Sequence, residues 1–148
     1  MEIVEVKENR KDYLPLLLLA DEQESMIDRY ICRGDMYVLK DGAAVKAICL
    51  VTDEGGGALE IKNLAVSRDC QRQGLGRLML DFVSAAYSGA YSRLLVGTGD
   101  SPLTLPFYEA CGFRVSHRLE NFFTDNYDHP IFEAGKQLVD MIYLVKDI

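Results

Sequence analysis

Long apolar runs are missing from this 148-residue chain. The nearest to one, Leu14-Pro15-Leu16-Leu17-Leu18-Leu19-Ala20, is broken by a proline and falls far short of the roughly 20 residues a membrane-spanning helix needs. It makes a poor secretory leader too, because Glu2, Glu5, Glu8 and Asp12 stand where a basic region would be required; a buried helix is expected there. Positive charge is scarce: 16 Lys and Arg against 23 Asp and Glu leave a net charge of −7. Nucleic-acid-binding domains carry a basic patch, so nucleic acid is not expected as the main partner, whereas a cationic substrate stays open. Cys32, Cys49, Cys70 and Cys111 show no C-x-x-C spacing and no flanking histidine pattern. That argues against a metal site and for free thiols in a reducing cytoplasm. Repeats, low-complexity tracts and linkers are absent as well, so one domain over residues 1–148 is expected.

What the chain does have is concentrated between Asn63 and Arg77, N-L-A-V-S-R-D-C-Q-R-Q-G-L-G-R. An apolar segment passes through a polar turn and two glycines spaced one apart into a helical pattern. Leu75, Leu78, Met79, Phe82, Val83 and Ala86 recur at the spacing of one helix face. Glycines let a ligand approach the backbone, and a helix start offers unpaired N–H groups and a positive dipole end. Together they suit a diphosphate without a lysine. No Gly-Lys-Ser/Thr follows, and the spacing is too short for a dinucleotide fingerprint. A nucleotide-binding regulator is disfavoured because no Mg²⁺-holding or ribose-reading residue accompanies the glycines.

Around this junction the remaining elements can be read in order. Met1–Lys7 alternates as a strand. A helix is expected over about Arg10–Ala20. A second should be capped by Asp21 with Glu24 three residues on, carry Met26, Ile27, Tyr30 and Ile31 on its apolar face, and close at Gly34. Asp35–Leu39, Ala43–Thr52 and Ala58–Val66 read as a three-strand meander, turned by Asp41-Gly42 and Gly55-Gly56-Gly57. After the glycine-entry helix, ending near Ala86 or Tyr87, Ser92–Gly97 is a strand. Pro106 is harmless only in a first helical turn, so a short helix over Leu105–Cys111 with Thr104 as its N-cap is expected. Phe113–Leu119 follows as a strand, Glu120–Gly135 as a loop and Leu138–Lys146 as a last strand.

Gln71-Arg72-Gln73-Gly74-Leu75-Gly76 resembles the Q/R-x-x-G-x-G/A signature of the GCN5-related N-acetyltransferase (GNAT) family. Phe107-Tyr108-Glu109-Ala110-Cys111-Gly112-Phe113 is similar to the Y-E-x-x-G-F segment that the family places about thirty residues later. The order β-α-α-β-β-β-α-β-α-β-β matches that family's fold across nearly the whole chain. The resemblance implies an α/β acyl-CoA N-acyltransferase fold: a mixed, mostly antiparallel sheet with a splayed parallel strand pair and flanking helices. It also implies acetyl-CoA as acetyl donor and an amine as acceptor, direct attack in a ternary complex, and no metal.

If the resemblance holds, Ala58–Val66 and Ser92–Gly97 are the splayed strands. Backbone groups near Leu64, Ala65 and Val66 would meet the pantetheine arm, and the N–H groups of Gln71, Arg72, Gln73, Gly74, Leu75, Gly76 and Arg77 the pyrophosphate. Arg68, Arg72 and Arg77 could add charge. Acetyl transfer needs a neutral amine, a polarised thioester carbonyl and a proton for the departing thiolate. The motif nominates Tyr108 as the acid. Glu60, eleven residues before Gln71 on the strand leading into the cradle, is the candidate base; the alternative is an ion pair with Lys62. Many family members carry an asparagine seven residues before the tyrosine, and here that cofactor-contacting position is Ser101. His117 and His129 have no sequence partner that marks either as catalytic. The loop Asn121–Glu133 offers Asp125, Asp128 and Glu133 to attract a cation, with Phe122, Phe123, Tyr127 and Phe132 as walls. That composition suggests an acceptor with more than one positive charge. The loop could equally pack its aromatics on the core or on the second subunit of a homodimer. A catalytically weak CoA-binding sensor or scaffold is the other reading open to such a chain.

Overall fold

The computed structural model describes residues 1–148. Alternation of apolar and polar residues, punctuated by turn glycines, lays out most of the sheet. β1 (Glu2–Val6), β2 (Asp35–Asp41), β3 (Ala44–Gly55) and β4 (Ala58–Val66) run antiparallel in sequence order. β5 (Arg93–Gly99) lies parallel to β4, and β9 (Met141–Asp147) inserts between β5 and β6 (Arg114–Leu119). The resulting seven-stranded sheet has the order β1-β2-β3-β4-β5-β9-β6, and its one parallel pair is β4/β5. This is the mixed α/β architecture expected from the sequence. No helix is long and apolar enough to cross a membrane.

One face of the sheet is covered by α3 (Leu75–Tyr87) and α4 (Leu105–Ala110), over a cluster that includes Cys49, Leu59, Met79, Leu80, Val83 and Leu94. The buried stripe of α3 is rotated slightly from the expected one. Leu80 is fully buried, whereas Leu78 is exposed and Phe82 only half-buried, its ring edge-on to Tyr37 at 5.0 Å. α4 starts as expected, with Thr104 as N-cap and Pro106 in the first turn. The Thr104 hydroxyl does not cap the helix; it accepts from Thr98 Oγ1 at 2.8 Å and so ties α4 to β5.

The other face departs from the sequence expectation. The helices expected over Arg10–Ala20 and after Asp21 shrink to single turns, a 3₁₀ turn at Arg10–Tyr13, α1 (Leu14–Leu17) and α2 (Glu24–Ile27). Tertiary contacts outweigh propensity here. The Arg10 guanidinium donates to the carbonyls of Val6 (3.2 Å), Ile31 (2.8 Å) and Gly34 (3.0 Å), which gathers three segments at one point. The N-cap of α2 is Gln23, not Asp21, because the Asp21 carboxylate is taken up elsewhere. The segment still buries Leu17, Ile27 and Tyr30 against Val38, Ile48 and Leu50.

The expected loop Glu120–Gly135 is partly ordered into α5 (Phe122–Asn126) and β7 (Phe132–Glu133), which pairs with β8 (Lys136–Gln137). The β7–β8 turn places Ala134 (φ 51°) and Gly135 (φ 76°) in left-handed backbone, the conformation two-residue hairpins of the primed type require. β9 starts at Met141 rather than Leu138, because Leu138 is drawn into a small cluster with Phe123 and Ile131.

Candidate active site

β4 and β5 pair only between Ala58–Ile61 and Arg93–Val96. Beyond that point each remains bonded to its other neighbour: β4 to β3 through Val66↔Ala47, and β5 to β9 through Gly99↔Met141. The two strands part, and the backbone groups they would have exchanged along 62–66 and 97–99 face a gap. The gap is a cleft of about 310 Å³. Its walls include Leu64, Ala65 and Val66 of β4, Gly97, Thr98 and Gly99 of β5, and Thr104 and Tyr108 of α4. Glycine suits β5 here because side chains of the neighbouring strand β9 and of the segment leading into it cross there. A Cβ at Gly97 would lie 2.5 Å from Met141 Sδ, and one at Gly99 would lie 2.5 Å from Leu138 Cδ1.

The glycine turn sits where β4 hands over to α3. Gly74 is the N-cap in left-handed backbone (φ 78°), with open space where a Cβ would project. Arg72 also has positive φ. The N–H groups of the first turn of this 13-residue helix have no intrahelical acceptors. Gly76 has a different reason to be small, since a Cβ there would meet Phe107 Cζ at 3.1 Å. Gln71 lines the cleft, and its side-chain amide donates to the Val66 carbonyl at 3.1 Å, which occupies one of that oxygen's two lone pairs. Arg72 and Gln73 are exposed beside it. The Arg77 guanidinium reaches the Ala110 carbonyl at 3.4 Å, at the end of α4.

Tyr108 is buried between Phe107 and Phe113, edge-to-face with ring centroids 5.0 and 5.5 Å away, and lines the cleft. Burial pushes its phenol well above the usual range, with smaller contributions from Cys49, Cys111 and Glu133. Its protonated form therefore persists across the physiological range. Glu60 is placed differently. Its carboxylate is buried, pairs with Lys62 at 2.9 Å and accepts from the Tyr143 hydroxyl at 3.1 Å. The neighbours Ile61 and Lys62 line the cleft, but Glu60 does not; the ion pair left open as its alternative role is what the structure contains. Ser101 is buried and does not line the cleft. Its hydroxyl accepts the Leu103 N–H at 3.1 Å, a local turn contact.

The aromatic loop supplies part of the cleft wall through Phe123, Tyr127, Ile131, Phe132 and Glu133. Asp125 and Asp128 do not reach it. Asp125 is exposed, and Asp128 meets His129 Nδ1 at 2.6 Å. His117 is exposed and stacks on Tyr143 at 4.8 Å. Sequence reading missed the network that holds the loop down. Asn63 Nδ2 donates to the Tyr30 hydroxyl (3.0 Å), Tyr30 donates to Asp21 Oδ2 (3.0 Å), and Tyr127 donates to Asp21 Oδ1 (2.6 Å). Burial raises the Asp21 pKa, and the two tyrosine hydrogen bonds partly offset it. The sequence signal was Asn63 itself, a polar residue inside an apolar strand.

A family model described as an acetyltransferase (GNAT) domain matches residues 32–115. The uncharacterized N-acetyltransferase YvbK of Bacillus subtilis (strain 168) is 34% identical over 148 residues, 98% of this chain and 96% of that protein. Among solved structures, a GNAT family acetyltransferase from Elizabethkingia anophelis with acetyl-CoA bound superposes with a TM-score of 0.94 at 34% identity, covering 99% and 97% of the two chains. A Bacillus subtilis acetyltransferase in complex with CoA gives 0.89 at 33% identity, covering 99% and 98%.

Proposed function

This chain belongs to the GNAT family of acetyltransferases, and from that premise we propose that it transfers the acetyl group of acetyl-CoA to a primary amine by direct attack within a ternary complex. The observation that carries the reading is the parting of β4 and β5 directly below the glycine turn of α3, with Tyr108 on the wall of the gap. The residues fit the donor. A left-handed glycine cap with open space above it suits a pyrophosphate, and unbonded strand edges at Leu64 and Ala65 suit an amide-bearing arm. In this reading the first-turn N–H groups at Leu75, Gly76 and Arg77 hold the phosphates, with charge from Arg72.

A neutral amine attacks the thioester carbonyl, a backbone N–H of the open β4 edge stabilises the oxygen as it gains charge, and as the C–S bond breaks the nitrogen returns its extra proton to the phenolate that Tyr108 leaves. Tyr108 donates its phenolic proton to the departing sulfur, and its raised pKa keeps that proton available at the moment of transfer. Glu60 sets the charge of the wall by neutralising Lys62, standing behind that residue and not in contact with the acceptor. Free cysteines and a thioester substrate suit a reducing compartment, which favours the cytoplasm.

The test is thiol release from acetyl-CoA by the purified protein across a panel of primary amines, read against an amine-free control. Amine-dependent release with stoichiometric N-acetyl product is expected. Tight acetyl-CoA binding with no amine-dependent release from any member would instead establish the sensor or scaffold role.

A further inference from the structure

Two buried hydrogen-bond acceptors on residues lining the cleft have no donor, Oε2 of Glu133 and Oδ1 of Asn63. The Asn63 orientation is fixed chemically: its Nδ2 lies 3.0 Å from the Leu17 carbonyl, which can only accept, so the remaining atom is the oxygen. A buried carboxylate oxygen left unpaired is unfavourable, and such a group calls for a partner from outside the protein's own donors. The other charged residues of the cleft are already occupied. Asp21 accepts from two tyrosines, Glu22 meets His129 Nε2 at 3.2 Å, and Lys62 is held by Glu60 at 2.9 Å. The cleft thus presents open acceptors, one of them anionic.

Their surroundings narrow the ligand. Glu133 ends β7 immediately before the left-handed pair Ala134–Gly135, so the hairpin turn fixes where it stands. Its charge reaches Tyr108, where it contributes to the raised phenol pKa. Around it the wall is apolar: Phe123, Ile131, Phe132, Leu138 and the ring of Tyr127. With Asp21 and Glu22 already engaged, Glu133 is the one cleft carboxylate left for a cation, and a second positive charge finds no partner there.

We propose that Glu133 receives the ammonium group of the acetyl acceptor and accepts the proton it sheds before attack, that Asn63 takes a further N–H of the same molecule, and that the acceptor carries one positive charge on an alkyl or arylalkyl body. This rests on the acetyltransfer reading above. It also replaces the multiply charged acceptor expected from loop composition, because two of that loop's three carboxylates lie away from the cleft.

Calorimetric titration of 2-phenylethylamine, hexylamine and spermidine into the CoA-loaded protein tests it without requiring turnover. The first two are expected to bind more tightly than spermidine. Glu133→Gln, which keeps the shape and removes the charge, is expected to weaken them at least about tenfold, in line with loss of a charge-assisted hydrogen bond. Asp125→Asn, at an exposed position, should leave them unchanged. In steady state the same Glu133 variant should raise KM for 2-phenylethylamine and leave KM for acetyl-CoA alone. Equal amine affinity in parent and Glu133→Gln overturns the proposal, as does tighter binding of spermidine or failure of the parent to bind either monoamine. Failure of the parent to bind acetyl-CoA would instead overturn the function reading, and the two failures are read in separate titrations.

Discussion

Gly76→Glu is expected to fold and to bind acetyl-CoA at least about a hundredfold more weakly, a loss of about 2.7 kcal/mol. The new carboxylate would stand in the first turn of α3, where the proposed ligand brings negative charge to unpaired N–H groups. Gly76→Ala separates charge from bulk. Its methyl would meet Phe107 Cζ at 3.1 Å and Val66 Cγ2 at 3.8 Å, so the ring need yield only a few tenths of an ångström. The helix propensity of alanine, better than glycine by about 0.5–1 kcal/mol, offsets that strain. The alanine variant should therefore bind acetyl-CoA within a few-fold of the parent and melt close to it, which agrees with a family signature that accepts Gly or Ala here. Calorimetry showing parental affinity in a folded Gly76→Glu protein would remove the cradle from the assignment.

Tyr108→Phe should lower kcat about a hundredfold while KM for acetyl-CoA holds, within the usual range for a general acid. The substitution keeps the ring contacts to Phe107 and Phe113 and deletes only the hydroxyl. The pH dependence follows from the direction of the shift. Burial raises the phenol pKa, so the proton is in place below the ordinary tyrosine value of about 10 and is lost only as pH climbs through the higher folded value. The ratio of parent to variant turnover should therefore stay level from about pH 6 to about pH 9. The same sign applies to stability: whatever the neutral buried phenol contributes persists through that range and fades only at more alkaline pH. Equal kcat in the two proteins would show that the thiolate leaves without help from Tyr108.

The two sequence motifs were legible as structure because each is a local device. A glycine turn and a proline-led short helix depend on residues a few positions apart, and Gly74 and Pro106 hold places their types favour. The strands were legible for a similar reason, since period-two alternation survives wherever one face is buried. The acceptor side resisted because its decisive contacts span long separations. Asp21 was read as a helix cap, yet its oxygens serve Tyr30 and Tyr127, the latter 106 positions away. Among three loop carboxylates nothing local distinguished Glu133, and its place depends on a hairpin of two-residue strands too short to announce themselves. Glu60 shows the converse case: an acid in an apolar strand suggested chemistry, and the structure pairs it with Lys62 two residues on.

The short seam between β4 and β5 has a mechanical meaning. Only four residue pairs join the antiparallel half β1–β4 to the half built from β5, β9 and β6. In backbone pairing the sheet is two smaller sheets joined at that seam, with the cleft where they part. A ligand that bonds both free edges would act as the missing rungs of the ladder, and its binding energy would become cohesion between the halves. At acetyl-CoA concentrations about a hundred times Kd, the folded state gains about 2.7 kcal/mol. The amides of 62–66 and 97–99 should then exchange with solvent far more slowly than in the free protein. The lifetime of the fold would thus track the supply of its own acetyl donor.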